Sequence, residues 1–275
     1  MGVYNGEKFV DRAIQSILNQ DFLDWEFIIC NDGSNDNTQK VLSKYKDQSK
    51  FVILQNNNNH GLGYTLNKCL KFAHGEYVAR MDADDVSYPN RLGEQVRFLE
   101  KNPHVSVLGT YASLFDDNGV IWGNNCPPIK PILDDWLKGP SVIHASVIMN
   151  KKKLEDMGGY DTKALRFEDY DLWLRMLSKD YVIQTLPIEL YGIKWNFRDY
   201  GRKENKYRIL DFKYRIKRFK DINIPLYKYI ICIKPLLPIL IPKFFLYKYH
   251  YFLMRKMKAV KLNMKSIYDI CTQIK

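Results

Sequence analysis

A chain of 275 residues, 46% hydrophobic and 27% charged, is long enough for one large domain plus an appendage, and its composition excludes a disordered protein. The five cysteines, Cys30, Cys69, Cys126, Cys232 and Cys271, are scattered without a CxxC pair, which argues against a disulfide framework or a zinc site and for a reducing cytoplasm. The net charge of +11 is unevenly spread: residues 1–193 carry 21 Lys+Arg against 26 Asp+Glu, and residues 194–275 carry 21 against 5. A basic tail of this kind is expected to meet an anionic surface, either nucleic acid or anionic lipid.

In chain order, no basic start followed by an apolar run opens the sequence, so no signal peptide is expected. Phe9, Val10, Ala13, Ile14, Ile17 and Leu18 make an amphipathic helix stripe, and Trp25 to Cys30 reads as a buried strand. The turn-rich Asn31-Asp32-Gly33-Ser34 follows, with Asp36 or Asn37 placed to cap a helix through about Ser49. Phe51–Gln55 reads as a strand. Leu62, Leu66, Leu70 and Ala73 share one helix face, and Glu76–Met81 is a strand running into Asp82. A helix near Pro89–Lys101 and a strand near Val105–Gly109 complete a strand–helix alternation that predicts an α/β fold, a mostly parallel sheet flanked by helices. Ligands in such sheets bind beyond the carboxyl ends of strands, where Asp32 and Asp82 fall. Further on, Val142–Met149 is expected as a strand, Glu168–Lys179 as a helix, Tyr181–Leu186 as a strand, and Gly201 to Lys220 as a basic helix. Tyr227–Leu253 is apolar but broken by Pro235, Pro238 and Pro242 and by lysines. It contains no uncharged stretch of the ~18–20 residues a spanning helix needs.

Three acidic features carry candidate chemistry. Asp82, Asp84 and Asp85 stand together in Arg80-Met81-Asp82-Ala83-Asp84-Asp85. Carboxylates this close repel one another unless a cation shares them, and their hard oxygens suit Mg²⁺ or Mn²⁺; a solvated acidic turn is the plainer reading. Asp32 can accept an N–H from a base or a ribose hydroxyl, or simply close an Asx-turn. Tyr4, in the turn Val3-Tyr4-Asn5-Gly6, can pack on a nucleobase or cover the core. Phe167-Glu168-Asp169-Tyr170-Asp171-Leu172-Trp173 opens a helix, where acids favour the dipole, and a carboxylate lodged among aromatics also makes a better base.

Taken together, these strings resemble family 2 glycosyltransferases. The resemblance is carried by Val-Tyr-Asn-Gly-Glu-Lys-Phe-Val (3–10), Ser-Ile-Leu-Asn-Gln (16–20), Asn-Asp-Gly-Ser (31–34), Asn59-His60-Gly61-Leu62 and Gly75-Glu76-Tyr77. Ala-Arg-Met-Asp-Ala-Asp-Asp (79–85), Gly158-Gly159-Tyr160-Asp161 and Glu-Asp-Tyr-Asp-Leu-Trp (168–173) complete it, in the same order and spacing over about residues 2–193. The family's members are inverting enzymes of the GT-A fold that use a nucleotide-sugar donor and Mn²⁺ or Mg²⁺. By that resemblance Asp32 contacts the uracil or equivalent base with Tyr4 beside it, and a UDP-sugar is the expected donor. Asp82 lies near the ribose and metal, Asp84 ligates the metal, and Asp169 is the catalytic base. Arg80 and His144 help shape the diphosphate and acceptor sites, with Glu168 and Trp173 beside them. The acceptor is expected to be a saccharide or lipid-linked saccharide of bacterial surface polysaccharide synthesis.

The sequence departs from the family at two points. A complete apolar strand ending in Pro normally precedes Val-Tyr-Asn, whereas this chain starts at Met1-Gly2, and Asn31 stands where Asp is usual. The first departure leaves a central strand essentially absent, and with it a buried sheet edge unpaired. It implies either a start further upstream or a shortened, catalytically impaired form. Residues 1–193 are thus expected to form the catalytic domain and 194–275 a basic, aromatic-rich helical region. That region suits a peripheral anchor at the inner face of the cell membrane, with Phe244, Phe245, Tyr247, Tyr249 and Tyr251 entering the boundary. A helical subdomain packed on the body is the alternative. A nucleotidyltransferase would bring a Gly-rich basic loop that is missing here. A nucleic-acid binder would explain the tail but not the ordered acidic sites, so no nucleic-acid partner is expected.

Overall fold

The computed structural model describes residues 1–195, 205–239 and Ile267. A first sheet holds β1 (Gly2–Val3), β2 (Phe27–Asn31) and β3 (Phe51–Gln55), all parallel in the order β1-β2-β3. Every residue of β2 is buried because both faces are covered. Phe27 and Ile29 join the cluster of α1 (Val10–Leu18), while Ile28 and Cys30 pack with Cys69 of α3 (Leu62–Leu70). A strand sandwiched in this way reads as a continuous apolar run, which is why Phe27–Cys30 stands out in the sequence.

The second sheet is mixed. Its order is β4 (Tyr77–Ala79), β8 (Ile148–Asn150), β6 (Val105–Phe115), β9 (Val182–Lys194), β5 (Val86–Ser87), with β7 (Ile121–Asn125) paired to β6. The long β6–β9 ladder is parallel, and the remaining pairs are antiparallel. Its helices are α4 (Arg91–Lys101), α5 (Leu133–Lys138), α6 (Lys151–Asp156) and α7 (Glu168–Leu177).

The first strand comprises Gly2 and Val3, which pair with Cys30 and Asn31, in keeping with the truncated strand expected. It is only two residues long, and the two sheets remain separate. Several elements differ from the sequence expectation. The helix expected to Ser49 stops early, as α2 (Thr38–Leu42) followed by one 3-10 turn to Tyr45. The strand expected over Val142–Met149 shrinks to β8, because the backbone before it turns through a 3-10 segment at His144–Ser146. Side chains hold that turn: Gln95 donates to the Ser146 carbonyl at 3.0 Å, and Ser146 Oγ accepts from Thr110 N–H at 3.0 Å.

The basic region docks on the body. In α8 (Asn205–Asp221) Arg215 pairs with Asp211 at 2.6 Å, and Arg218 donates to buried Asp171 at 2.5 Å. Phe219, Ile224 and Cys232 enter the core around Trp136, Tyr170 and Trp173. Ile267 is fully buried against Val86, Tyr88 and Phe115. These contacts match the packed-subdomain alternative, while Phe244, Phe245, Tyr247, Tyr249 and Tyr251 lie outside the described residues. Among the described residues no helix is long and apolar enough to cross a membrane.

Candidate active site

Two groups of side chains assemble from the expected residues. The first surrounds Asp32, which follows β2 directly and is buried. Its Oδ1 accepts from Asn56 Nδ2 at 2.7 Å and His60 N–H at 3.0 Å, and its Oδ2 accepts from Gly61 N–H at 2.9 Å. Asp32 therefore ties down the 56–61 loop, a duty beyond the expected base contact. Gly33 makes that approach possible: it sits at φ +69°, and a Cβ there would lie 2.5 Å from the Asn58 carbonyl carbon. The turn carrying Tyr4 is sewn to the same region, since Asn5 N–H donates to Ser34 Oγ at 2.9 Å and Gly6 N–H to Thr38 Oγ1 at 2.8 Å. The Tyr4 ring is left 47% exposed, open to a planar partner.

The second group follows β4. Buried Arg80 grips Asp82 with both terminal nitrogens, at 2.6 and 2.5 Å. Although burial opposes its charge, the Asp82 carboxylate and its bonds hold the Arg80 pKa above the ordinary value. Asp82 N–H donates to the Tyr191 hydroxyl at 3.0 Å, and the Asp84 carbonyl accepts from Arg12 at 2.9 Å. Burial pushes the Asp84 carboxyl up, and the neighbouring Asp82 charge pushes it further. Asp85 is raised for the same reasons, yet its Oδ1 accepts the Lys194 N–H at 2.8 Å. Asp85 thus ties the loop to β9 and leaves Asp82 and Asp84 as the pair open to a ligand.

The helix α7 brings its acidic first turn to the same place. Asp169 Oδ1 accepts Tyr170 N–H at 2.7 Å. Burial raises the pKa of Glu168, and the charge of Asp169 adds to it. Trp173 is fully buried, 5.8 Å between ring centres from His144. His144 Nε2 meets the Tyr160 hydroxyl at 2.8 Å, and its pKa is held well below 6.5 by burial and then by Arg80. Arg80, Asp82, Glu168 and Asp169 all act on the Tyr160 hydroxyl, which is raised above its ordinary range chiefly by burial. Arg80 Nε, Glu168 Oε2 and Trp173 Nε1 are buried without a protein partner. Unpaired buried polar atoms are costly, and all three belong to the group formed by Arg80, His144 and α7. The groups around Asp32 and Asp82 approach through α3, where a Cβ on Gly63 would stand 3.5 Å from Tyr160 Cβ and 3.6 Å from Glu168 Cβ.

Asp171, in the same acidic run, has a different duty: fully buried, it pairs with Arg175 at 2.7 Å and Arg218 at 2.5 Å. Tyr160, Arg91, Tyr191 and Lys194 are not among the site residues expected from the sequence. Arg91 is fully buried, donates to the Arg80 carbonyl at 2.7 Å and faces the Tyr191 ring at 4.9 Å. Tyr191 arrives by long-range pairing of β9 with β5 and Lys194 by pairing of β9 with β6, and neither has a local signal; Tyr160, following two glycines, has one. Among the described residues no three His, Cys, Asp or Glu side chains gather as a ready-made metal cage. Asp82 and Asp84 nevertheless fit Mg²⁺ or Mn²⁺, because such ions are commonly held by one or two carboxylates plus substrate phosphates, and burial and the Asp82 charge keep the Asp84 carboxyl raised despite nearby Lys194 and Arg80.

The sequence pattern of Glycosyl transferase family 2 matches residues 1–166. EpsE of Bacillus subtilis (strain 168) is 34% identical over 254 residues, 91% of each chain. The Escherichia coli UDP-Glc:alpha-D-GlcNAc-diphosphoundecaprenol beta-1,3-glucosyltransferase WfgD is 28% identical over 76% of this chain and 80% of its own. Among solved structures, S. aureus TarS (1–349) in complex with UDP-GlcNAc superposes with a TM-score of 0.66 at 20% identity, over 86% of this chain and 70% of that one.

Proposed function

The chain belongs to glycosyl transferase family 2, with the GT-A fold, and from that premise we propose that it is an inverting, metal-dependent enzyme of surface polysaccharide synthesis. A sugar passes from a nucleotide-sugar donor, a UDP-sugar by preference, to a hydroxyl of a saccharide or lipid-linked saccharide. The observation that carries the proposal is the convergence of the Asp82–Asp84 pair with Arg80, His144, Tyr160 and the first turn of α7, where three buried polar atoms lack partners. The lipid-linked acceptor and UDP donor named for WfgD support the substrate class.

Tyr4 and the Asp32 loop take the nucleoside, the exposed ring stacking on the base. Asp82 and Asp84 would hold the metal, which supplies charge stabilisation for the departing diphosphate. Arg80, pinned by Asp82, adds a fixed positive charge at the same place. Asp169 takes the proton from the acceptor hydroxyl, which attacks the anomeric carbon from the face opposite the leaving group. Neutral His144 and Tyr160 shape the acceptor side. No covalent sugar–enzyme intermediate is needed. The basic tail and the exposed Leu226, Tyr227 and Ile230 support peripheral contact with anionic membrane at the cytoplasmic face. Replacing those three by Ser should abolish flotation with anionic vesicles, and undiminished flotation would refute the contact.

The transfer itself is tested with Asp169→Asn. Donor-induced thermal stabilisation should persist while transfer falls by about 10²–10⁴-fold. Turnover at the parental rate would remove Asp169 from the base role.

A further inference from the structure

The turn that carries Tyr160 is built on two glycines in the left-handed region, Gly158 at φ +71° and Gly159 at φ +69°. A Cβ on Gly159 would lie 2.4 Å from Asn67 Oδ1, so the bare glycine lets one side chain of α3 come up against the Tyr160 backbone. Asn67 uses both ends of its amide there. Its Nδ2 donates to the Tyr160 carbonyl and its Oδ1 accepts the Tyr160 N–H, each at 2.8 Å. One planar group thus fixes the peptide units on both sides of the Tyr160 Cα. With the backbone held, the buried ring has little freedom left, and its hydroxyl is placed against His144 Nε2 at 2.8 Å.

Asn67 also stands on the helix that Asp32 anchors. Asp32 Oδ2 accepts the N–H of Gly61, the residue that caps α3, and Oδ1 accepts the N–H of His60 before it. From Gly61 to Asn67 a helix rises about 9 Å. Over so short a span α3 is a rigid spacer. One end is set by the loop around Asp32, and the other sets Tyr160.

We propose that Asn67 is a positioning residue for transfer: it seats Tyr160 against His144 and, through α3, holds that pair at a set distance from the Asp32 loop. The effect on transfer rests on the reaction proposed above, whereas the seating of Tyr160 stands on the hydrogen bonds alone. Asn67 touches no reacting atom. Its loss lets the Tyr160 turn shift, and a misplacement of about 1 Å costs about 10²-fold in rate.

The test compares Asn67→Ala and Asn67→Asp with Cys69→Ala, which truncates a buried side chain of the same helix where it packs on Ile28 and Cys30. Asn67→Asp keeps the side-chain size and the acceptor for the Tyr160 N–H, so it stays readable if the alanine variant fails to fold. The kcat should fall about 10²-fold in Asn67→Ala and about tenfold in Asn67→Asp, with the donor KM within about twofold of the parent. Cys69→Ala should lower Tm and keep the parental kcat. Proton NMR of His144, held well below 6.5 in the parent, supplies a second readout. Its titration should move up toward 6.5 in both Asn67 variants, as the loosened turn admits water, and stay in place in Cys69→Ala. Parental kcat in both Asn67 variants, a loss no greater than that of Cys69→Ala, or a loss confined to the donor KM would overturn the proposal. If the parent itself transfers no sugar, the proposed reaction falls and the His144 titration decides alone: no movement in either Asn67 variant overturns the seating of Tyr160.

Discussion

Replacing Asp171 by Asn separates structure from chemistry within a single acidic run. Asp171 is fully buried, with Oδ1 on Arg218 Nε at 2.5 Å and Oδ2 on Arg175 Nε at 2.7 Å. Arg175 in turn holds the Met157 and Gly159 carbonyls at 2.6 and 2.7 Å, just before Tyr160. Removing one member of a buried pair costs about 3–5 kcal/mol, because the partner charge is left uncompensated. Here Arg175 keeps its two carbonyls and Arg218 keeps Asp221 at 3.2 Å, and the two side chains retain 15% and 11% exposure through which water can reach them. The lower end therefore applies, about 3 kcal/mol, or about 6–12 °C in Tm for a domain of this size. Thermal unfolding followed by circular dichroism measures it, with Asp169→Asn, two positions away, as a control that should stay within about 1 °C of the parent. A loss below about 2 °C for Asp171→Asn would refute the view that this carboxylate clamps α8 to the body.

Asp84→Asn removes a carboxyl that burial and Asp82 hold above its ordinary pKa, so the metal-free protein should gain about 0.5–1 kcal/mol while transfer is lost; a destabilised variant in urea unfolding would contradict the repulsion. His144, held well below 6.5, stays neutral in the folded chain while the unfolded chain protonates below that pH. Stability should therefore fall as pH drops beneath 6.5, by up to about 1.4 kcal/mol per unit, and His144→Gln should flatten that slope; unchanged slopes in urea titrations would refute the reading. Chelation with EDTA should abolish transfer and Mn²⁺ or Mg²⁺ restore it; full activity in chelator would remove the metal role.

The parts of this fold that were legible are those whose pattern is local. Strand β3 and the helices α1, α3, α4 and α7 follow apolar periodicity and fall close to where the sequence places them. Strand β5, two residues long, is defined by pairing to distant β9 and leaves no local trace, whereas β7 folds back on β6 across the Asp116–Gly119 turn. The 3-10 turn at His144 depends on Gln95 and Thr110, and the segment reads as a strand because the flanking Val142, Ile143, Val147, Ile148 and Met149 are apolar. Motif order singles out Asp82, Asp84, Glu168 and Asp169 as candidates. What it could not convey was the division of labour among neighbouring acids, which burial decides: Asp85 ties β9 to the loop, Asp171 fastens α8, and Asp32 organises the 56–61 loop.

The central claim, single-displacement transfer from a nucleotide sugar, is tested most directly by the anomeric configuration of the product. A thermal-shift screen of UDP-, GDP- and dTDP-sugars with Mn²⁺ identifies the donor, and proton NMR then reads the new linkage formed from its α-anomer on an acceptor saccharide. A β-linked product released together with free nucleoside diphosphate is the predicted result. An α-linked product, or a sugar trapped covalently on the protein, would contradict it.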